Sequence, residues 1–247
     1  MKLLVVMGLL LPTWVFASCE RLNLLYHERP PYQFRGPLGD MQGILVAPLQ
    51  KALNAAHLPY QWTLTPAKRQ LEQIKENQDC SCGLGWFKNP SREGFARFSL
   101  YLYQDQAQIA LARANTDQLK PNMRVEAALA SSLRLGLRDG YSYGHFLDQL
   151  MEQLHPPRDS TATSNEQMLR KLQSGRIDYF FIAPEEASEL LNRLQLSPSE
   201  FEFVYFSNMP SGEKRYLMCT QQLETVWMER LNQAIRAHVH PDYPLEE

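Results

Sequence analysis

The stretch that decides the fold spans residues 80–113 and reads CSCGLGWFKNPSREGFARFSLYLYQDQAQIALAR. Its apolar start, residues 80–84, predicts a buried strand, and Gly85 and Pro90 predict a turn directly after that strand. Arg92 lies in this turn, six residues before the Phe98–Ser99 pair, and an extended, aromatic-rich segment follows over residues 100–111. An arginine held in a turn at the end of a buried strand can bind a carboxylate or phosphate through two parallel hydrogen bonds. The alternative is that Arg92 is a solvated surface charge.

The amino terminus has the pattern of an export signal. Lys2 supplies a positive start, residues 3–11 form an apolar core, and small residues ending at Ala17 predict a cleavage site. An apolar run this short is no transmembrane helix, which needs about 20 residues. We therefore predict a signal peptide over residues 1–17 and a periplasmic or otherwise exported protein. The alternative is a lipoprotein acylated at Cys19, although Phe16 suits that pattern poorly.

Composition excludes some classes of function. The chain has 25 basic and 27 acidic residues and no basic block or stripe, so the electrostatic footprint of nucleic-acid binding is missing. The six histidines are mostly isolated, and no zinc-binding spacing occurs. We expect neither a metal nor a cofactor. The length of the chain after the signal peptide suits one large domain or two small ones.

Four cysteines in an exported chain predict disulfides, because the envelope outside the cytoplasm is oxidising. Cys80 and Cys82 are two apart on one predicted strand, so their side chains share a face and cannot easily bond each other. The preferred pairs are Cys19–Cys80 and Cys82–Cys219, because Cys19 and Cys80 each lie near the start of a predicted parallel strand. The other connectivity stays open, as does a redox or metal-binding role for the Cys-x-Cys segment.

Alternating strand and helix patterns predict an α/β fold with mostly parallel sheets. Predicted strands cover residues 22–26, 60–65, 80–84, 100–111, 133–137, 177–182, 201–206 and 215–220. Two predicted helices begin near Pro48 and Pro66. Further predicted helices cover residues 145–154, 164–173, 184–194 and 223–238. A polar break over residues 115–122 separates the first unit from the second.

Five loosely defined segments together resemble the family 3 extracellular solute-binding proteins, of the polar amino-acid-binding type. They are the turn at residues 26–34, Pro66 with Arg69, the spacing from Arg92 to Ser99, residues 140–142, and residues 172–178. The resemblance covers nearly the whole chain after residue 17. It implies a two-lobed, type II periplasmic-binding-protein-like fold with a hinge. Residues 18–114 and 207–247 would form lobe 1, and residues 115–206 would form lobe 2.

The resemblance also implies a function and a set of ligand-binding residues. The function would be capture of a small, carboxylate-bearing solute between the lobes, without catalysis, for an ABC-type transporter permease or a receptor. We expect a monomer in solution. The residues carried over to this sequence are Tyr32, Arg69, Trp86, Lys88 and Arg92 from lobe 1 and Ser142 and Glu185 from lobe 2. Each has a simpler alternative role, in packing, helix capping or as a solvated charge.

One position departs from the family pattern. Members that bind amino acids carry an acidic residue five positions after the Asp of a Gly-Arg-x-Asp turn, and it holds the ammonium of the ligand. In this chain that position is Ala183, followed by Pro184, Glu185 and Glu186. Either Glu185 substitutes with a different geometry, or the ligand has no α-ammonium. The identity of the solute stays open.

Two alternatives involve other uses of the chain. Residues 140–144 read GYSYG and match the Gly-x-Ser-x-Gly elbow of an α/β-hydrolase, with Ser142 as nucleophile and Asp178 and His238 or His240 following in order. Against this, the preceding strand carries alternating arginines, and no Gly-rich oxyanion segment lies upstream. The same binding fold can also serve as a sensor or a lyase, with His27, Glu28, Glu185 or Glu186 as the acid or base.

Overall fold

A computed structural model describes residues 19–114, 116–162 and 164–240. The predicted signal peptide over residues 1–17 lies outside these described residues. In chain order the strands are β1 (Leu22–Tyr26), β2 (Phe34–Arg35), β3 (Met41–Gln42), β4 (Tyr60–Leu64), β5 (Ser81–Phe87), β6 (Arg97–Phe98), β7 (Tyr103–Gln104), β8 (Ile109–Arg113), β9 (Leu135–Arg138), β10 (Arg158–Ala162), β11 (Tyr179–Ile182), β12 (Phe201–Val204) and β13 (Lys214–Cys219). The helices are α1 (Val46–Ala55), α2 (Ala67–Glu76), α3 (Pro90–Glu93), α4 (Val125–Leu129), α5 (His145–Leu154), α6 (Asn165–Gln173), α7 (Pro184–Arg193) and α8 (Thr225–His238).

Eleven of the described strands form two mixed sheets, which we use to define two lobes, and β2 and β3 form a separate antiparallel pair. The first sheet has the order β4-β1-β5-β13-β6, with β7 also on β13, and the first lobe is this sheet with α1, α2, α3 and α8. The second sheet has the order β10-β9-β11-β8-β12, and the second lobe is this sheet with α4, α5, α6 and α7. The predicted α/β class is confirmed.

The prediction that the sheets are mostly parallel is wrong in detail. Three neighbouring strands in each sheet are parallel, β4-β1-β5 in the first and β10-β9-β11 in the second. Each remaining strand pairs antiparallel with its neighbour. In the first sheet β13 pairs with β5 in this way, and in the second sheet β8 pairs with β11. Helical crossovers join the parallel strands, whereas the segments that pass between the sheets arrive in the opposite direction.

Helices cover both faces of each sheet. Successive side chains of a strand point to opposite faces, so a strand that is apolar throughout needs a packing partner on each side. In β11, Tyr179 and Phe181 pack with α4 and α5, whereas Phe180 and Ile182 pack with α6 and α7. In the first lobe, α1 and α8 cover one face and α2 covers the other. The loops that follow the parallel strands are thereby left as the surface where one lobe meets the other.

Both preferred disulfides are formed. Cys19 is bonded to Cys80, with their Cα atoms 5.9 Å apart, and Cys82 is bonded to Cys219. Cys82 and Cys219 are adjacent partners on β5 and β13 and are fully buried in the core of the first lobe. The alternative roles in redox chemistry or metal binding are therefore not needed to explain the Cys-x-Cys segment.

The predicted extended run over residues 100–111 is broken into two strands that belong to different sheets. β7 pairs with β13 in the first sheet, and β8 pairs with β11 and β12 in the second. The four residues between them cross from one lobe to the other. β8 lies before the lobe boundary predicted at residue 114, and the division into residues 18–114 with 207–247 and 115–206 stays a prediction.

Within residues 19–114, 116–162 and 164–240, no helix has both the length and the apolar character needed to cross a membrane.

Candidate functional site

The loops at the carboxyl ends of the parallel strands of both lobes converge on one cleft. Arg29 follows β1, Arg92 follows β5, Tyr141 follows β9 and Glu186 follows β11. In α/β sheets this is the edge at which ligands bind, because the strand ends leave a crevice lined by loops and helix starts. The cleft is therefore the place to examine the predicted binding residues.

Arg92 is a buried cation without an acidic partner. It lies in the short helix α3, where the side chain of Asn89 accepts a hydrogen bond from its backbone N–H. Its Nη1 donates to the carbonyl oxygen of Phe87 at 2.7 Å, and its guanidinium carbon lies 4.7 Å from the Trp86 ring centroid. Burial lowers the pKa of Arg92 to about 10, and attraction to Asp148 offsets this only in part. No carboxylate of the described chain forms an ion pair with it.

Trp86 joins the two lobes. Its indole Nε1 donates to Oε1 of Gln70 at 2.9 Å, and its ring stacks on that of Tyr141 with centroids 6.4 Å apart. One face of the tryptophan therefore supports Arg92 while the residue also contacts the opposite lobe. These contacts agree with the alternative packing role of Trp86, and its binding role stays a prediction.

His27 is a neutral side chain at the same contact between the two lobes. Its Nε2 lies 2.8 Å from the hydroxyl of Tyr141, which also accepts a hydrogen bond from Nη2 of Arg138 at 2.7 Å. Burial lowers the pKa of His27 well below its usual value, and the charges of Arg29, Arg138 and Arg215 lower it further. A histidine in this position accepts a proton only at considerable cost in free energy.

The shifted pKa of His27 makes the protein less stable in mild acid. Below pH 6.5 the unfolded chain binds a proton at this residue that the folded chain does not, so the free energy of unfolding falls as the pH falls, by up to about 1.4 kcal/mol per pH unit. We expect His27→Gln to flatten this slope between pH 6.5 and 5, measured by urea unfolding. His145→Gln, at an exposed position, is the control for loss of an imidazole. Equal slopes in both variants would contradict the assignment.

Tyr32 lies fully buried under the cleft and does not reach it through its hydroxyl. The guanidinium of Arg215 stacks on its ring at 3.6 Å, and its hydroxyl donates to Oε1 of Glu185 at 3.4 Å. Burial raises the pKa of Tyr32 well above its usual value. Tyr32 therefore supports the site through the face of its ring.

Glu185 bonds one lobe to the other. Its Oε1 accepts hydrogen bonds from the hydroxyls of Tyr32 and Tyr103 and, at 3.1 Å, from the backbone N–H of Gln106. All three donors belong to the first lobe or the segment that leaves it, whereas Glu185 lies in the first turn of α7. Its other oxygen, Oε2, is buried and has no partner in the structure.

Ser142 combines a place in the cleft with a role at the start of α5. Its hydroxyl donates to Oδ2 of Asp148 at 2.5 Å and accepts from the backbone N–H of Gly144 at 3.2 Å. The same residue lines a small cavity that also contains Arg92 and His27. The predicted role of Ser142 as the N-cap of α5 is wrong, because the N-cap is Gly144 and no side chain caps that helix. The predicted ligand contact of Ser142 stays a prediction.

Arg69 and Lys88 lie at the surface, away from the cavities lined by Trp86, Arg92 and Ser142. Arg69 pairs with Glu72 on the solvent face of α2, which turns Gln70 and Ile74 inward. Lys88 pairs with Glu93 at 2.9 Å and is 44% exposed. Both are long side chains whose charge is solvated at the surface, and their assignment to the binding site stays a prediction.

The serine-hydrolase triad is not assembled. Ser142 donates to Asp148, whereas Asp178 at the start of β11 accepts from the backbone N–H of Arg134 at 2.7 Å. His240 lies against the ring of Tyr101 in the first lobe, and His238 is exposed. The hydrolase interpretation is therefore wrong, because its three members occupy separate parts of the molecule.

Three charged groups in the cleft were missed by the sequence analysis. Arg29 forms an ion pair with Glu186, Arg215 forms one with Asp105, and Arg138 bonds to the hydroxyl of Tyr141. Arg29 follows β1 and Arg138 ends β9, positions that could have drawn attention, whereas Arg215 lies near the start of β13. The acidic partners of Arg29 and Arg215 are 157 and 110 positions away along the chain, so the sequence does not show these pairs.

The cleft is nearly filled by these side chains. Two adjoining cavities of about 20 and 30 Å³ lie among them, and a third of about 70 Å³ opens beside Arg29 and Glu186. Since a water needs roughly 10–15 Å³ of cavity volume, each of the first two has room for only about two waters. Across the described residues, no group of three or more His, Cys, Asp or Glu could hold a metal ion.

The sheets and their connections define a two-lobed, periplasmic-binding-protein-like fold. No protein-family model matches the sequence, and no curated protein matches it significantly. Solved structures do match: the arginine-, lysine-, histidine-binding protein ArtJ from Geobacillus stearothermophilus has a TM-score of 0.69 and 12% identity, covering 88% of this chain and 89% of that one. Holo ArgBP from T. maritima has a TM-score of 0.68 and 15% identity, covering 88% of this chain and 89% of that one. The VFT2 domain of Bordetella pertussis BvgS, a double mutant, has a TM-score of 0.70 and 15% identity, covering 90% and 89%.

Proposed function

We propose that the protein captures a small carboxylate-bearing solute in the cleft and has no catalytic activity of its own. Arg92 carries the proposal. It is a buried guanidinium with a hydrogen bond to a carbonyl and a ring beneath it, but without a carboxylate. A buried cation of this kind is stabilised when an anion is supplied from solution.

The two-lobed architecture supports a closing mechanism. Arg92 and Trp86 belong to the first lobe, and Tyr141 and Ser142 belong to the second. A solute bound to Arg92 would touch groups of both lobes, and it would favour the closed arrangement through that difference in contact. The cavity beside Arg92 is small, so we expect the lobes to open before a solute enters.

The partners follow from the proposed function. A solute-binding protein of this kind would deliver its ligand to an ABC-type transporter permease or present it to a receptor, as a monomer. The two disulfides support an oxidising compartment such as the periplasm. Export by a signal peptide over residues 1–17 belongs to the same proposal. Cys19 forms a disulfide and has no free thiol for a lipid anchor.

The test is a ligand screen on wild type and one variant. We expect at least one amino acid, dicarboxylate or other small anion to raise the melting temperature, because a ligand that binds only the folded state stabilises it by mass action. Calorimetric titration of the hit should give roughly 100-fold weaker binding to Arg92→Ala, since a buried charge-assisted contact is lost.

The matched control is Arg97→Ala, which removes a nearby arginine that donates to Thr225 on the surface of the first lobe. This variant should bind the hit as wild type does. Unchanged affinity in Arg92→Ala would remove Arg92 from the site. Turnover of the bound solute would contradict the absence of catalysis and favour the lyase interpretation, with neutral His27 as the base.

A further inference from the structure

A second arginine, Arg29, crosses the cleft and is fully engaged by the opposite lobe. Its Nε and Nη2 donate to the two carboxylate oxygens of Glu186 at 2.7 and 2.9 Å. The Glu186 side chain is 4% exposed and that of Arg29 is 16% exposed. The pair therefore joins the loop after β1 to the first turn of α7 with almost no solvent contact.

Two aromatic rings complete the surroundings of this guanidinium. Its central carbon lies 5.2 Å from the ring centroid of Tyr32 and 5.4 Å from that of Tyr141. Rings at this distance attract a cation, and a carboxylate held in the fork geometry recognises a guanidinium specifically. Glu186, Tyr32 and Tyr141 together have the chemistry of a guanidinium receptor, here occupied by a side chain of the same protein.

The charges of the pair are stable in this setting. Burial alone would lower the pKa of Arg29, but attraction and hydrogen bonding to Glu186 outweigh it and raise the pKa above the usual value. Burial alone would raise the pKa of Glu186, and Arg29 again outweighs it and keeps the pKa low. Both groups therefore stay ionised across the range in which the protein would work.

The receptor adjoins the proposed anion site. Arg29 lines the 20 Å³ cavity together with Arg92, and it lines the 30 Å³ cavity together with Ala183. A solute bound to Arg92 would meet the guanidinium of Arg29, which covers the carboxylate of Glu186. The space for a positive group of the solute is already filled.

We propose that Arg29 is a specificity-determining residue whose guanidinium occupies the cation subsite of the cleft, so that the protein selects anions without a positively charged group. The choice of solute rests on the proposed function, whereas occupation of the subsite does not. Removing the Arg29 side chain would leave Glu186, Tyr32 and Tyr141 as a vacant receptor for an added guanidinium ion.

The experiment restores the missing group from solution. Arg29→Ala is titrated with methylguanidinium at millimolar concentration, and its melting temperature is followed. We expect a rise of roughly 5 °C at a concentration about 100-fold above Kd, because the ligand re-pairs the buried carboxylate. Wild type should show no such rise. The double variant Arg29→Ala/Glu186→Ala is the matched control and should lose the effect.

Arg29→Ala leaves a buried carboxylate unpaired, and a second measurement covers the case in which the variant does not fold alone. In that case circular dichroism with and without methylguanidinium measures the same binding, because the ligand shifts the equilibrium toward the folded form. No shift in melting temperature and no gain in folded protein would overturn the proposal. Equal shifts in wild type and in both variants would overturn it as well.

The natural selectivity is tested on wild type with matched solutes. Succinate and aspartate differ by one ammonium group, as do glutarate and glutamate. We expect the member without the ammonium to bind at least about tenfold tighter, a difference of about 1.4 kcal/mol. Tighter binding of the ammonium-bearing members, or of L-arginine, with Arg29 intact would contradict the inference. Methylguanidinium carries no acid group, so its result stands even if none of the anions binds.

Discussion

Replacing Cys82 and Cys219 together by alanine is expected to lower the free energy of unfolding by about 5 kcal/mol. The disulfide spans 137 residues along the chain, and closing a loop of that length restricts the unfolded state strongly. It also lies fully buried in the first lobe, where it joins β5, the strand before Arg92, to β13, the strand that carries Arg215. Urea unfolding monitored by circular dichroism gives the free energy directly.

The matched control removes Cys19 and Cys80 in the same way. That disulfide spans 61 residues, and the same loop-closure argument gives about 4 kcal/mol. It fastens the start of β1 at the edge of the core and leaves the strands under the cleft joined. An equal or larger loss in the control would mean that loop length and the position of the bond do not govern its contribution.

Much of the fold follows from local sequence patterns. The helix predicted over residues 145–154 is α5 without change, and the strand predicted over residues 22–26 is β1. Strong apolar periodicity and clear helix ends make such elements readable. The placement of Arg92 after β5 also follows locally, since Pro90 begins α3 and Asn89 caps it. The predicted end of the strand at Gly85 is wrong, because β5 continues to Phe87 and Gly85, with a φ of 81°, lies where the pairing with β13 shifts register.

Other elements carry too little pattern to be predicted. β10 was missed because its residues, 158–162, are polar and mostly exposed at the edge of the second sheet. α4 was missed because it spans only residues 125–129, too short for a helical period to show. Edge strands and single-turn helices are defined by what they pack against rather than by their own composition.

The interior of the cleft depends on contacts between distant residues. Arg29 and Glu186 are 157 positions apart, and Asp105 and Arg215 are 110 apart. A sequence shows the charges but not which of them meet, so Arg69 and Lys88 were assigned to the site and Arg29 was not. Only the fold separates a cation buried between lobes from one solvated on a helix.

Asp105→Ala is expected to lower the free energy of unfolding by about 3–5 kcal/mol, because it leaves the charged guanidinium of Arg215 unpaired in the core. Nε and Nη2 of Arg215 each donate to a carboxylate oxygen of Asp105 at 2.6 Å, and both side chains are at most 3% exposed. Burial alone would lower the pKa of Arg215, but Asp105 outweighs it and raises the pKa. The unpaired guanidinium would remain ionised.

The control replaces both members by apolar residues of similar size. Arg215→Met combined with Asp105→Leu removes both buried charges, and such replacements are often neutral or stabilising. We expect the double variant to recover most of the stability lost in Asp105→Ala, as measured by urea unfolding. If the double variant is no more stable than the single one, the pair contributes by its packing and not by charge compensation.

The same pair should matter more for binding than for stability. Arg215 stacks at 3.6 Å on Tyr32, the ring that supports Arg29, and donates at 3.1 Å to the carbonyl oxygen of Gly85 in β5, the strand before Arg92. A flexible methionine cannot make these contacts. The double variant should therefore fold with near wild-type stability yet bind the solute found for wild type about tenfold more weakly. Wild-type affinity in this variant would show that the cleft is positioned without Arg215.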